Sequence, residues 1–84
     1  MVTLLYFASL RERLGRSREE VALPSGNATV ESLLEHLRAR DERWTEALAP
    51  GKAWRVAVNQ RMAEAATPLR PGDEVAFFPP VTGG

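Results

Sequence analysis

Residues able to do chemistry are sparse in this 84-residue chain, and the search for them leads to one end of it. His36 is the only histidine and there is no cysteine. Without a second imidazole, a thiolate or a facing carboxylate, His36 has neither a metal-ligand set nor a catalytic triad, and it reads as a helix surface residue. The acidic pairs Glu19-Glu20 and Asp73-Glu74 are adjacent in sequence. Neighbours on a strand point to opposite faces, so neither pair makes an acid/base dyad, and Glu19-Glu20 reads as solvated surface. The serines have no partner base and no G-x-S-x-G elbow. Gly15 and Gly26 are turn glycines rather than parts of a phosphate-binding loop. The folded body is expected to hold no metal and no nucleotide.

What remains is "FFPPVTGG", Phe77 to Gly84. The α-carboxylate of a terminal Gly84 is the one group with special chemical prospects. Lacking a Cβ, Gly83-Gly84 can thread a narrow channel and take backbone angles closed to other residues. Pro79-Pro80 should hold the chain extended as it leaves the preceding strand. From Pro80 through Val81 and Thr82 to Gly84, the extended reach is about 16 Å, enough to enter a partner's pocket. A carboxylate is a poor electrophile until one oxygen becomes part of a leaving group, as adenylation achieves. A chain without a nucleotide site needs a separate enzyme for that step.

The elements that must present this tail are legible from periodicity. "VTLLYFA" alternates as a strand, with Val2, Leu4 and Tyr6 on one face and Thr3, Leu5 and Phe7 on the other. "SLRERLG" is a short helix with Ser9 as its expected cap, Leu10 and Leu14 on one face and Gly15 as its stop. "EEVAL" (Glu19–Leu23) predicts a second strand, closed by "PSGN" at Pro24–Asn27. The main helix is "TVESLLEHLRAR", capped by Thr29, with Val30, Leu33, Leu34 and Leu37 repeating at helical spacing. Glu31 and Glu35 early, with Arg38 and Arg40 late, suit its dipole. "ERWTEALAPG" predicts another short helix stopped at Pro50-Gly51. "WRVAVN" is a strand, Asn59-Gln60 a turn, and "RMAEA" a minor strand. A Pro71-Gly72-Asp73 turn leads to the last strand, Glu74–Phe78.

This order predicts an α+β fold: a mixed sheet packed on one main helix, as in ubiquitin-like β-grasp domains, with residues 1–78 as the domain and 79–84 as a flexible tail. If Val75 and Phe77 face the helix, Phe78 joins Phe7 on the less covered face. Two readings of that pair stand at this point. It is a docking patch beside the tail, or it fills a second small core.

Composition excludes other classes. A chain this short supports one modest core, burying roughly 60–65% of its unfolded surface. Eleven basic and eleven acidic residues balance to zero net charge, so the excess of cations that displaces counterions from nucleic acid is missing. No apolar run approaches the ~20 residues that span a bilayer. The opening "MVTLLYFASLRER" lacks the basic start of a signal peptide. A cytoplasmic location, with no membrane partner, is expected.

Four segments, "VTLLYFASLRERLG", "RWTEALAPGK", "VAVNQ" and "PLRPGDEVAFFPPVTGG", together resemble the small-subunit family of molybdopterin synthase, the sulfur carriers of molybdenum-cofactor biosynthesis. The resemblance covers essentially the whole chain, and the unbroken "GDEVAFFPPVTGG" is its most specific part. It implies a β-grasp fold and a carrier that is not an enzyme on its own. Gly84 would be adenylated by an E1-like adenylyltransferase using ATP and Mg²⁺, then converted by a sulfur donor system to a thiocarboxylate. The tail, Pro80 to Gly84, would enter the large synthase subunit within a heterotetramer. There, two sulfur deliveries to cyclic pyranopterin monophosphate build a dithiolene. Phe7, Met62 and Phe78 match apolar positions that family members present to partners. The absence of cysteine fits a carrier that holds sulfur on its terminus. Two alternatives share the Gly-Gly ending: a thiamine-type sulfur carrier, and a ubiquitin-like modifier joined to lysines of target proteins.

Overall fold

The computed structural model describes residues 1–23, 27–50 and 54–79. The expected turn at Pro24–Ser25–Gly26, the Gly51 stop and the tail from Pro80 lie outside the described residues. In chain order the elements are β1 (Val2–Tyr6), α1 (Ala8–Leu14), β2 (Arg18–Val21), α2 (Val30–Arg38), α3 (Glu42–Ala47), β3 (Arg55–Val58), β4 (Arg61–Met62) and β5 (Glu74–Phe78).

The five strands form one mixed sheet in the order β2-β1-β5-β3-β4. β1 and β5, the first and last strands, pair in parallel at its centre, and the other pairings are antiparallel. Alternation along β1 and β5 turns Val2, Leu4, Tyr6, Val75 and Phe77 toward the helices, and all five are buried. α2 lays Val30, Leu33, Leu34 and Leu37 against them. Each such fully buried side chain contributes about 1.5–3 kcal/mol. The β-grasp reading holds, and α2 has help. α1 adds Leu10 and Leu14 to the core, and α3 with its C-cap adds Trp44, Ala47 and Leu48.

α2 starts where its sequence indicates. The Ser32 N–H donates to Thr29 Oγ1 at 3.2 Å while the Thr29 N–H donates to Ser32 Oγ at 2.8 Å, a reciprocal capping box. Its next two N–H groups donate to Thr67 and Ala65 carbonyls, so the 65–67 segment completes the cap. α2 ends at Arg38, two residues short of the expected Arg40.

Three local expectations are corrected. Ser9 does not cap α1; Phe7 occupies the N-cap position without a side-chain cap, and Ala8 takes a left-handed φ of 51°. The turn is made by the backbone at Ala8, because Phe7 is still held to β5 through its N–H to the Phe77 carbonyl at 3.1 Å. β2 spans residues 18–21 rather than 19–23, since its pairing with β1 runs from Leu5–Arg18 to Val2–Val21. Glu19 is not solvated surface; its register opposite Leu4 turns it to the helix side, and its side chain is only 12% exposed.

The two loops beside the later strands are clamped together. Asn59 and Gln60 are both left-handed, at φ 51° and 67°, as a two-residue hairpin between β3 and β4 demands. Asn59 Nδ2 donates to Asp73 Oδ1 at 3.0 Å, and the Glu74 N–H donates back to Asn59 Oδ1 at 3.0 Å. Asp73 Oδ2 also accepts the Arg70 N–H, closing the turn around Gly72, whose φ is 91°. The Asn59 and Arg70 hydrogen bonds hold the Asp73 carboxyl below its ordinary range.

Candidate functional site

With the helices gathered on one face of the sheet, the other face is left bare among the described residues. Along its middle run Leu5, Ala76, Ala57 and Met62, brought side by side by the register Leu5–Ala76–Ala57–Met62 across four strands. Phe7 continues the alternation of β1, with extended φ −120° and ψ 152°, and extending the β1–β5 register by one residue sets it beside Phe78. Phe7 is 45% exposed and Met62 65% exposed, large apolar side chains in water. Phe78 and Leu5 are half-buried. At 45% exposure Phe7 does not fill a second core, and neither Phe7 nor half-buried Phe78 belongs to the buried cluster. β5 ends at Phe78, so the described chain leaves the sheet at Pro79, on the edge of this apolar face.

The structure thus brings Phe7, Met62 and Phe78 onto one surface, with Met62 carried there by the tight β3–β4 turn. Ala57, which the sequence reading did not single out, completes the row. Pro80, Val81, Thr82, Gly83 and Gly84 lie outside the described residues. His36 is exposed on α2. Among the described residues no group of three or more His, Asp or Glu side chains could hold a metal ion, and no helix is long and apolar enough to cross a membrane. A groove of about 380 Å³ between α2 and β3–β4 is lined by apolar Val30, Leu34, Trp54 and Val56 and by the charged Glu31, Arg38, Arg55 and Glu64, of which Arg38 pairs with Glu31 at 3.3 Å.

The densest titratable cluster lies on the helix side. The phenol of buried Tyr6 donates to Glu19 Oε2 at 2.8 Å, and Arg40 grips the same carboxylate with two bonds of 2.8 and 2.9 Å. Arg16 reaches Glu19 Oε1 at 3.2 Å. Arg40 also lies 4.5 Å above the Trp44 ring, which meets Tyr6 edge-on at 5.5 Å. Burial, then the hydrogen bond and charge of Glu19, push the Tyr6 phenol far above its ordinary value. For Glu19, burial alone pushes the carboxyl up, but the bonds from Arg40 and Tyr6 and the charges of Arg40 and Arg16 outweigh it and hold it below 4.5. A carboxyl depressed on folding adds stability above its unfolded pKa that is lost as pH falls through the folded value. Wild-type protein should lose melting temperature on acidification below about pH 4.5, in part through this group. Glu19→Gln should cost about 1–2 kcal/mol at neutral pH and flatten that acid limb. Melting curves from pH 7 to pH 3 check this; an unchanged acid limb in the variant would remove Glu19 from the account.

A mixed sheet whose first and last strands lie together over a central helix, with its last strand ending beside a bare apolar face, defines a β-grasp domain of the ubiquitin-like type. Comparison with known proteins supplies the particular. The ThiS family model matches residues 4–84. The molybdopterin synthase sulfur carrier subunit of Escherichia coli (strain K12) is 49% identical over 100% of both chains, and that of Haemophilus influenzae is 42% identical over 100% of both. Among solved structures, SAMP1 from Haloferax volcanii, a small archaeal modifier protein, superposes with a TM-score of 0.81 at 30% identity, covering 99% of this chain and 98% of its own. The chain belongs to the ThiS family and, within it, to the molybdopterin synthase sulfur carrier subunits.

Proposed function

We propose that the α-carboxylate of Gly84 is the sulfur-carrying group and that the bare sheet face of Phe7, Met62 and Phe78 docks the chain on the large subunit of the synthase. The observation that carries this reading is the exposure of Phe7 and Met62 on the face from whose edge the tail departs. Large apolar groups in water are costly unless a partner covers them, and aromatic and methionine side chains are the ones interfaces favour.

In the proposed cycle, an E1-like enzyme transfers AMP from ATP to the Gly84 carboxylate, releasing pyrophosphate. Hydrosulfide from a donor attacks the acyl carbon, AMP leaves with the bonding pair and a proton is lost, giving the thiocarboxylate. The tail from Pro80 then enters the large subunit, where the terminal sulfur bonds to a carbon of the pterin precursor, cyclic pyranopterin monophosphate, and water cleaves the acyl C–S bond, leaving sulfur on the pterin and the Gly84 carboxylate restored. Pro79-Pro80 limits the tail's freedom before binding, and Gly83-Gly84 lets its end pass a narrow opening. Full-length identity to two molybdopterin synthase carriers favours this acceptor over a thiazole-forming enzyme.

A second reading, conjugation of Gly84 to lysines, is favoured by the likeness to a small archaeal modifier protein. Mass spectrometry of the chain from its native cells separates the two. The carrier reading expects an oxygen-to-sulfur exchange located at Gly84. Lysine-linked adducts with no thiocarboxylate would overturn it.

A further inference from the structure

The bare face is apolar only along its middle, and its charges are sorted by end. Strand alternation and register arrange the outward residues in rows that cross the sheet. At one end stand Glu20, Thr3 and Glu74, paired Thr3–Glu20 and Thr3–Glu74. Next comes the apolar row, bordered on β2 by Arg18 opposite Leu5. At the tail end stand Phe7 and Phe78, bordered on β3 by Arg55 opposite Phe78. Arg18, Glu20 and Arg55 are exposed and Glu74 is half-buried. The ion pairs among the described residues are Arg16–Glu19, Arg38–Glu31 and Arg40–Glu19, so these four side chains are not engaged in any of them.

The face therefore has carboxylates at one end, Arg18 at its middle and Arg55 at the tail end. The Arg55 level lies four residues along β5 from Glu74, about 13 Å at strand spacing. That exceeds the Debye length of about 8 Å in physiological salt, so a partner senses the two ends separately. Since the whole chain has zero net charge, overall attraction supplies little guidance and the arrangement of charge must supply it.

We propose that this polarity sets the direction of docking: the large subunit presents a carboxylate at the mouth of the channel that receives the tail, facing Arg55, another beside the apolar row, facing Arg18, and basic groups facing Glu20 and Glu74. The inference rests on the docking reading above and adds the partner's surface chemistry to it. An apolar face alone could be covered end for end with little loss of contact, leaving the tail pointing away from the channel. With the charges in place, the reversed pose sets like charges against each other, which charged interfaces use to reject wrong partners and registers.

The test measures the association rate of the intact chain with the purified large subunit at low and high salt. R18E/R55E and E20K/E74K should each slow association about tenfold at low salt, with the difference shrinking as salt rises. The neutral R18Q/R55Q should slow it about threefold and keeps the test open if a reversal disturbs folding, which melting curves monitor. Wild-type rates in the charge variants, alongside weakened binding by Phe78→Asp, would overturn the polarity and leave the docking face standing. Faster association of E20K/E74K would also overturn it, because a uniformly acidic partner surface would then be enough. Unaltered affinity of both Phe78→Asp and Phe7→Asp would instead remove the docking face itself.

Discussion

A chain lacking Gly84, or extended by one residue beyond it, will fold as the wild type does and deliver no measurable sulfur. The fold is indifferent because the core is complete by Phe77 and the last strand ends at Phe78. The chemistry is not indifferent. Removing one residue withdraws the carboxylate by about 3.5 Å, and adding one pushes it forward by the same amount. Misplacement of a reacting group by about 1 Å already costs on the order of a hundredfold, so a loss of at least a thousandfold in pterin conversion is expected. The measurement is conversion of the pterin precursor by the large subunit with each loaded variant, beside its melting curve. Normal conversion by either variant would refute the terminal-carboxylate mechanism.

The second large effect belongs to Phe78. Replacing it with aspartate should weaken binding to the large subunit by about 3 kcal/mol, on the order of a hundredfold in Kd. Part of this is the lost burial of an aromatic ring, worth up to about 1.5–3 kcal/mol. The rest is the cost of an unpaired carboxylate at an apolar contact. Phe78 is half-buried, so Phe7→Asp serves as a companion at a side chain already 45% exposed. Calorimetric titration of each variant into the large subunit decides the matter. Wild-type affinity in both would mean that the partner does not use this face.

How much of this was legible beforehand depends on what each residue needed. α2 needed only local signals: Thr29 for the cap and four apolar residues at helical spacing, all of which the structure uses. Phe7 and Phe78 needed strand parity alone, and parity placed them together. The N-cap of α1 was misread because Ala8 adopts a left-handed backbone that alanine does not advertise, so Ser9 looked like the better candidate. Glu19 was misread because its parity with Val21, which points inward, was outweighed by its charge. Its partners Tyr6 and Arg40 come from β1 and from beyond α2, and only the assembled fold brings them near. Arg18 could not be placed beside Leu5, nor Arg55 beside Phe78, without the register, because strand order is a tertiary property.

The parallel pairing of β1 with β5 has a consequence for synthesis of the chain. The first strand made finds its central neighbour only when the last strand arrives, and Thr3 must wait for Glu74. Until then β3 and β4 have no link to the β1–β2 pair, because β5 is the strand that joins them. Contacts this distant in sequence form late and slowly. A nascent chain on the ribosome therefore cannot assemble its docking face before the segment adjoining the tail has been translated. Copies that end before β5 is complete are left without the face proposed to dock.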